Sequence, residues 1–110
     1  QKKNVVILCS GWKNKFNLED SLFAGTLSQQ LIAKGYTSVC DSVAASIDLW
    51  EIAKQNIMQY MEKASHRHRL KRLGLDDVIQ YCFTVDTTDV IPFLKGNTLI
   101  DILKEKSSKV

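Results

Sequence analysis

The residues best suited to carry chemistry lie in the segment 11–25, which reads GWKNKFNLEDSLFAG. Its loop contains the basic residues Lys13 and Lys15, and the adjacent carboxylates Glu19 and Asp20 follow them. Basic side chains attract anions, and a divalent cation allows carboxylates and an anionic ligand to share one pocket. The pattern therefore predicts a metal-bridged phosphate site.

The same carboxylates also fit a purely structural role. Asn17 is a favourable N-cap residue, and acidic residues in the first turn of a helix interact well with its dipole. Lys13 and Lys15 are equally compatible with an ordinary solvated loop. On spacing alone, helix capping and metal binding both remain open for Glu19 and Asp20.

The flanking elements indicate how these residues are positioned. The apolar run Asn4–Cys9 has the length and composition of a buried parallel strand, and Ser10-Gly11 is a turn signal at its end. A helix is predicted over Leu18–Lys34, with Gly35 as its stop. A loop between a strand and a helix N-terminus commonly binds anions, which makes Ser10, Gly11 and Lys15 candidate ligand-binding residues.

The remaining pattern predicts a helix-rich chain. A second helix is expected after Asp41 or Ser42, with one apolar stripe of Val43, Ile47, Trp50 and Ile57, and a helix break is expected near Ser65. Gly25 inside the first helix indicates the close approach of a neighbouring backbone or of a ligand, and close packing is the simpler expectation. The segments Ile91–Leu94 and Thr98–Ile100 predict a hairpin in which Pro92 requires an edge position.

A second chemically interesting segment is the basic run His66–Arg72. A solvated basic helix face explains it, and the lack of interleaved aromatic residues disfavours nucleic-acid binding. His66 and His68 are two residues apart, which on a helix disfavours a shared metal ion. Asp86 and Asp89 are expected to form turns before the hairpin.

Composition is that of a globular domain. The 110 residues are 45% hydrophobic and 25% charged, with a net charge of +3. No apolar run reaches membrane-spanning length and no signal peptide is recognisable, so a cytoplasmic location without membrane contact is expected. Three cysteines without paired spacing predict neither a disulfide framework nor a zinc site, and Cys9 and Cys82 are expected in the core.

Several segments resemble one known family. FNLEDSLFAG (16–25) is similar to the F-S-L-E-D-x-x-x-A-G signature of the 2-phosphosulfolactate phosphatase (ComB) family. The resemblance continues in LWEIAK (49–54), ASHRHRL (64–70), LGLDDVIQYC (73–82) and VDTTDVIP (85–92), in the family's order. Asn17 replaces the family's Ser and Arg67 its Gly. The family's first half, with its D-V-x-R-A-T segment, has no counterpart, so the chain resembles the C-terminal half.

The resemblance implies a function and a fold. The implied fold is α/β, with helices packed on a mostly parallel sheet in an α/β/α arrangement. Residues 1–103 would form a helix-rich half of this fold, with one buried strand and a short C-terminal hairpin. The polar tail at 104–110 is expected to fray. The implied activity is magnesium-dependent hydrolysis of 2-phosphosulfolactate, as in coenzyme M biosynthesis.

The resemblance also implies site residues and partners. Glu19 and Asp20 would bind Mg²⁺, and His66 and Arg69 would bind phosphate or sulfonate oxygens. The implied partners are a small phosphorylated anion and the N-terminal half of the same protein, and a homo-oligomer stays possible. Two other functions remain open: a non-catalytic anion- or nucleotide-binding domain, and a basic helical interaction module.

Overall fold

The computed structural model describes residues 3–109, and the ends of the predicted domain and tail (residues 1, 2 and 110) lie outside them. The architecture is helix-rich, with one small antiparallel sheet. In chain order the elements are α1 (Leu18–Ala33), α2 (Asp41–Ala53), α3 (Ile57–Met61), α4 (Ser65–Arg72), α5 (Asp76–Cys82), β1 (Pro92–Lys95), β2 (Thr98–Asp101) and α6 (Ile102–Ser107).

Helix α1 has the boundaries that its capping residues predict. The Asn17 side chain accepts a hydrogen bond from the backbone N–H of Asp20 at 3.2 Å, which satisfies one donor of the first turn. The helix ends at Ala33, and Gly35 follows with φ +87°, the left-handed conformation that glycine adopts without strain. The sequence prediction for this helix is confirmed.

Helices α1 and α2 pack against each other through Gly25. A Cβ atom at this position would lie only 2.1 Å from the carbonyl oxygen of Ser46 on α2. The prediction that Gly25 serves close backbone packing is therefore confirmed. Beside this contact lies a small apolar core of buried side chains, formed by Leu22, Ala53, Met61 and Ala64.

The second helix is shorter than its apolar stripe indicated. It begins at Asp41 as predicted, and Val43, Ile47 and Trp50 are half-buried on it, but it ends at Ala53. Ile57 instead opens α3, because the Asn56 side chain accepts a bond from the N–H of Gln59 and caps a new helix. The predicted break near Ser65 is confirmed by the start of α4.

The C-terminal hairpin is confirmed. Strands β1 and β2 pair antiparallel with Phe93 opposite Ile100, and Pro92 begins its strand as its missing N–H requires. Gly96, in the two-residue turn, has φ +59°, the sign needed at the first central position of a type II′ turn. The first part of the predicted tail is helical, because Asp101 caps α6 by accepting a hydrogen bond from the N–H of Leu103. The fraying of the tail stays a prediction.

The predicted buried strand Asn4–Cys9 is not present in the described chain. The segment is non-helical and unpaired, and Val6 and Leu8 are 88% and 90% exposed. The physical reason is that a parallel strand requires neighbouring strands and a layer on each face, and residues 3–109 supply only the α1–α2 side. The mostly parallel sheet therefore has no counterpart in this structure.

The cysteines differ from their prediction as well. Cys9, Cys40 and Cys82 are free and exposed, so Cys9 and Cys82 are not core residues. Cys9 belongs to the uncovered segment, and Cys82 ends the short helix α5, on which only Ile79 is buried. Cys40 precedes α2, and its Sγ lies 2.9 Å from Ser42 Oγ, a hydrogen bond that lowers the pKa of the Cys40 thiol.

None of the helices within residues 3–109 has both the length and the hydropathy that crossing a membrane requires.

Candidate functional site

The loop before α1 is a tight chain reversal. The N–H of Trp12 donates to the carbonyl of Lys15 at 3.1 Å, and the N–H of Lys15 donates back to Trp12 at 3.0 Å. The two residues between them, Lys13 and Asn14, have φ of +50° and +60°, as a type I′ turn requires. Gly11 also has positive φ, and a Cβ there would lie 2.6 Å from the Lys15 carbonyl oxygen. The loop is therefore a defined structure rather than a flexible connection.

Asp20 holds this loop against the first turn of α1. Its Oδ2 accepts hydrogen bonds from the backbone N–H of Gly11 at 2.9 Å and from the Ser10 hydroxyl at 3.2 Å. Its own N–H is bonded to the Asn17 cap. Asp20 thus has a structural role in addition to any role with a ligand, and the predicted residues Ser10, Gly11 and Asp20 form one hydrogen-bonded junction.

A groove of about 1010 Å³ lies between this loop, the start of α1 and the helix α4. It brings together four predicted site residues that the sequence separates widely: Lys15 and Glu19 from one side, His66 and Arg69 from the other. Three of them, Glu19, His66 and Arg69, are half-buried, whereas Lys15 is exposed.

The groove has a strongly positive lining. Glu19 is the acidic residue among its described lining residues, and the basic ones are Lys13, Lys15, Lys63, Arg69, Lys71 and Arg72. Helices α1 and α4 both begin at the groove, since Asn17 and Leu18 line it on one side and Ala64 and Ser65 on the other. Helix N-termini carry positive partial charge and unpaired N–H groups. The cations and the helix N-termini of this groove are chemically suited to a multiply charged anion.

Arg69 makes specific contacts on two sides. Its Nη2 lies 2.9 Å from His66 Nδ1, and its guanidinium lies over the Trp12 ring, 4.6 Å from the ring centroid. The first contact is within α4, and the second connects α4 to the loop before α1. Arg69 therefore links the two walls of the groove.

Comparison with known proteins identifies the family of the chain. The family model described as 2-phosphosulpholactate phosphatase matches residues 1–97. The chain belongs to this family. No solved structure matches it closely enough to count as a relative.

Three curated relatives illustrate the match, each named a probable 2-phosphosulfolactate phosphatase. The protein of Prochlorococcus marinus is 41% identical over 96 residues, which cover 84% of this chain and 40% of that protein. That of Gloeobacter violaceus is 39% identical over 92 residues, 82% of this chain and 36% of the relative. That of Caldanaerobacter subterraneus is 34% identical over 94 residues, 86% of this chain and 39% of the relative. The chain spans about two fifths of their length.

Arg67, which occupies the position of the Gly in the family's S-S-H-G-x-R-L segment, does not enter the groove's lining. Its guanidinium forms ion pairs with Asp76 on α5 and, at 3.3 Å, with Glu62 after α3. The hydrogen bond to Asp76 raises the pKa of Arg67, partial burial opposes this, and Glu62 adds to it. Its Nε is buried and has no hydrogen-bond partner among the described residues. Arg67 thus fixes α4 to its neighbours.

The metal prediction for this family member can be tested against donor chemistry. The described residues contain no group of three or more His, Cys, Asp or Glu side chains placed to hold a metal ion. Mg²⁺, however, usually binds one or two protein carboxylates and takes its other ligands from water and substrate phosphate. Glu19, a carboxylate in the groove, fits that requirement, while Oδ2 of Asp20 is already bonded to Ser10 and Gly11.

Sequence reasoning missed Trp12 as a site residue, and it missed Lys63, Lys71 and Arg72 as groove residues. No sequence signal connects Trp12 to Arg69, because the two residues lie far apart in the chain. The sequence shows that the other three residues are basic, but it does not show that their side chains point toward the groove. His68 also lines the groove, although it is exposed.

Proposed function

We propose that the chain is part of a magnesium-dependent phosphatase that hydrolyses 2-phosphosulfolactate to sulfolactate and phosphate, the type of reaction used in coenzyme M biosynthesis. The observation that carries the proposal is the positive groove at two helix N-termini in a member of this family. The substrate that its relatives' names indicate carries a phosphate, a sulfonate and a carboxylate. A groove lined by several cations and by one acidic residue suits such a ligand.

The basic residues would hold the anionic groups of the substrate. Arg69 presents a planar fork that can donate two parallel hydrogen bonds to phosphate or sulfonate oxygens. Lys15 supplies a point charge from the opposite wall, and His66 supplies a ring N–H. Ser10 and Gly11 do not line the groove in this chain; they are bonded to Asp20 and would bind substrate only through the loop that they begin. Together these groups would neutralise charge that builds up on the phosphoryl oxygens during transfer to water.

Magnesium would be held by Glu19, with Asp20 acting indirectly. A bound Mg²⁺ polarises a phosphoryl group and offsets its charge. Glu19 lines the groove directly. Asp20 orients the loop through Ser10 and Gly11, so its contribution to the metal would pass through loop position or a shared water molecule. Adjacent helical residues point about 100° apart, which also favours one direct ligand rather than two.

The active enzyme would also need the N-terminal half of the same protein. The chain matches about two fifths of its curated relatives, and the segment 4–9 exposes apolar side chains on an unpaired backbone. We propose that this half docks on this segment, where it would supply the neighbouring strands that a parallel sheet requires and further residues of the site. By this proposal the chain alone is a poor catalyst. The free, unpaired cysteines fit a cytoplasmic enzyme.

The second candidate is a domain that binds an anion or nucleotide without catalysis. It is favoured by one observation, namely that the positive groove is formed entirely within this chain. Binding without turnover would need only the loop and the helix N-termini, whereas hydrolysis also needs a metal and an activated water molecule.

Phosphate release from 2-phosphosulfolactate, measured with and without Mg²⁺, tests the proposal in the full-length protein and in this chain. We expect magnesium-dependent release by the full-length protein only. Glu19→Gln keeps shape and removes charge, and it should raise the magnesium requirement roughly 10- to 100-fold. Asp20→Asn should have a smaller effect, since an amide oxygen can still accept the Gly11 bond.

The matched control is Asp48→Asn, which removes an exposed carboxylate from α2, away from the groove. It should leave both activity and magnesium dependence unchanged. If Glu19→Gln and Asp20→Asn both keep the wild-type activity and magnesium dependence, the two acids serve only to cap the helix, and the metal assignment is wrong. Tight anion binding with no release at any magnesium concentration would favour the non-catalytic domain instead.

A further inference from the structure

Trp12 is half-exposed, at 48% of its accessible surface, although tryptophan is the largest side chain. Its ring faces the groove rather than the apolar core formed by Leu22, Ala53, Met61 and Ala64. Core packing therefore does not account for its position. Its defined contact is with the Arg69 guanidinium, whose central carbon lies 4.6 Å from the ring centroid. Lys13 approaches the same ring only at 6.0 Å.

The stacking contact and anion binding use different parts of a guanidinium. A guanidinium stacks on an aromatic ring through its face, while its N–H groups donate hydrogen bonds in its own plane. Stacking on Trp12 therefore restricts the orientation of the plane without consuming donors. An arginine side chain otherwise loses considerable rotamer freedom when it binds a ligand, and a preset plane reduces that loss.

The His66 contact fixes the same guanidinium from a second direction. Arginine has only donors, so the 2.9 Å contact requires Arg69 Nη2 to donate and His66 Nδ1 to accept. The imidazole proton then lies on Nε2, where it is available as a donor. The contact over the Trp12 ring and the hydrogen bond to His66 together restrict the position and orientation of the Arg69 guanidinium.

The backbone holds Trp12 firmly enough to serve this purpose. Both hydrogen bonds of its turn pair it with Lys15, and Asp20 anchors the preceding Gly11. The ring is thus carried on a fixed loop, while Arg69 comes from α4, more than fifty residues later in the chain. Through this contact, the position of the loop before α1 determines the orientation of the Arg69 side chain on α4.

From this geometry we infer that Trp12 is a positioning residue, which sets the plane of the Arg69 guanidinium for a phosphate or sulfonate group. This inference rests on the proposed function of the groove as an anion site. It adds that anion affinity depends on an aromatic face that carries no charge and makes no hydrogen bond to the ligand.

The test uses this chain, inorganic phosphate as the probe, and two NMR readouts. The first is the Nε–Hε resonance of Arg69, which a stacked indole shifts through its ring current, whether or not a ligand binds. The second is the phosphate dissociation constant from titration. The variants are Trp12→Leu, which keeps apolar volume without a π face, and Trp12→Phe, which keeps a smaller face. Amide resonances of α1 show that each variant remains folded.

Trp12→Leu should remove the ring-current shift and weaken phosphate binding about two- to fivefold, the usual range for an exposed cation–π contact. Trp12→Phe should keep most of the wild-type affinity for phosphate. In an Arg69→Gln background, Trp12→Leu should change the dissociation constant less than about 1.5-fold, because the partner cation is gone.

The possible failures are separable. If the wild-type chain binds phosphate and Trp12→Leu binds it equally well, the positioning role is wrong and the anion site stands. A similar loss from Trp12→Leu with and without the Arg69→Gln substitution would show that Trp12 acts only on the structure of the loop. If neither the wild-type chain nor the full-length protein binds phosphate at millimolar concentrations, both the inference and the proposed anion site are overturned. If only the full-length protein binds phosphate, the same variants are compared in that protein, and equal affinity of Trp12→Leu and wild type there would show the positioning role to be wrong.

Discussion

The basic groove and the apolar segment 4–9 are adjacent in sequence but differ in how completely this chain forms them. In the groove, loop, helix N-termini and side chains are joined by hydrogen bonds between residues 10–20 and by the Trp12–Arg69 contact. In the segment 4–9, the backbone is unpaired and Val6 and Leu8 are almost fully exposed.

The difference follows from the range of the interactions involved. Turns, caps and helix N-termini satisfy their polar groups with residues a few positions away. A parallel strand depends on hydrogen bonds to other strands, which are connected only through long crossovers. A chain that contains part of a family's length can therefore carry a well-formed polar site beside an incomplete sheet.

The largest expected effect comes from truncating two leucines, one in the apolar core and one in the segment 4–9. Leu22→Ala removes a buried side chain and should lower the free energy of unfolding by about 2–5 kcal/mol in this chain and in the full-length protein alike. Leu8→Ala should cost less than about 0.5 kcal/mol in this chain, because Leu8 is exposed, but about 2–5 kcal/mol in the full-length protein. Urea unfolding of both variants in both contexts measures this.

Hydrogen exchange provides the independent control for that experiment. The amides of Val5–Leu8 should exchange quickly in this chain and slowly in the full-length protein. Suppose instead that these amides exchange quickly in this chain and in the full-length protein, and that Leu8→Ala leaves the free energy of unfolding of each unchanged. The segment is then uncovered in the full-length protein, and the proposed docking surface is wrong.

The next effect concerns the close contact between α1 and α2 at Gly25. Helix propensity alone predicts that Gly25→Ala stabilises α1 by about 1 kcal/mol. A Cβ atom 2.1 Å from the Ser46 carbonyl oxygen must instead push the helices apart, and we expect a loss of about 1–3 kcal/mol in thermal or urea unfolding. The sign of the change decides between these two expectations.

Gln30→Ala on the exposed face of α1 is the matched control for Gly25→Ala. It introduces the same residue into the same helix without a contact, so its effect should stay within about 0.5 kcal/mol. A stabilised Gly25→Ala variant would show that the two helices can separate at no cost.

The smallest effect is a pH dependence of the C-terminal region. Lys95 on β1 forms an ion pair with Glu105 on α6, and this hydrogen bond lowers the pKa of Glu105. Because the folded pKa lies below the unfolded one, the stabilisation is complete above the ordinary glutamate value of about 4.3 and is lost as the pH falls further. NMR should show α6 amides losing protection at acidic pH, and Lys95→Met should reduce that dependence, leaving the smaller contribution of Lys109 to the pKa of Glu105. An unchanged dependence in Lys95→Met would exclude the pair as its cause.

The elements that could be predicted from sequence are those whose signals are local. Asn17 and Gly35 bound α1, Gly25 marks its close contact, and the hairpin follows from turn and strand residues around Gly96. The division between α2 and α3 was missed, because the apolar stripe continues to Ile57 although Asn56 caps a new helix.

The candidate site was predictable as a set of residues but not as an arrangement. Family resemblance selected His66 and Arg69, while their meeting with Lys15 and Glu19 depends on how α4 packs beside the start of α1. Periodicity carries no information about such packing. The Trp12 contact was missed for the same reason, since an aromatic residue and an arginine more than fifty positions apart share no sequence signal. The metal and substrate assignments stay predictions.

The free thiol of Cys40 gives the chain a natural attachment point for a chemical label. It is exposed, and its pKa is lowered by the bond to Ser42. It lines a second pocket, distinct from the basic groove, in which Val5 and Ile7 face helices α1 and α2. A thiolate reacts with alkylating reagents faster than a thiol does. A fluorophore attached there would sit where added strands must pass, and would therefore report on assembly of the complete sheet in real time.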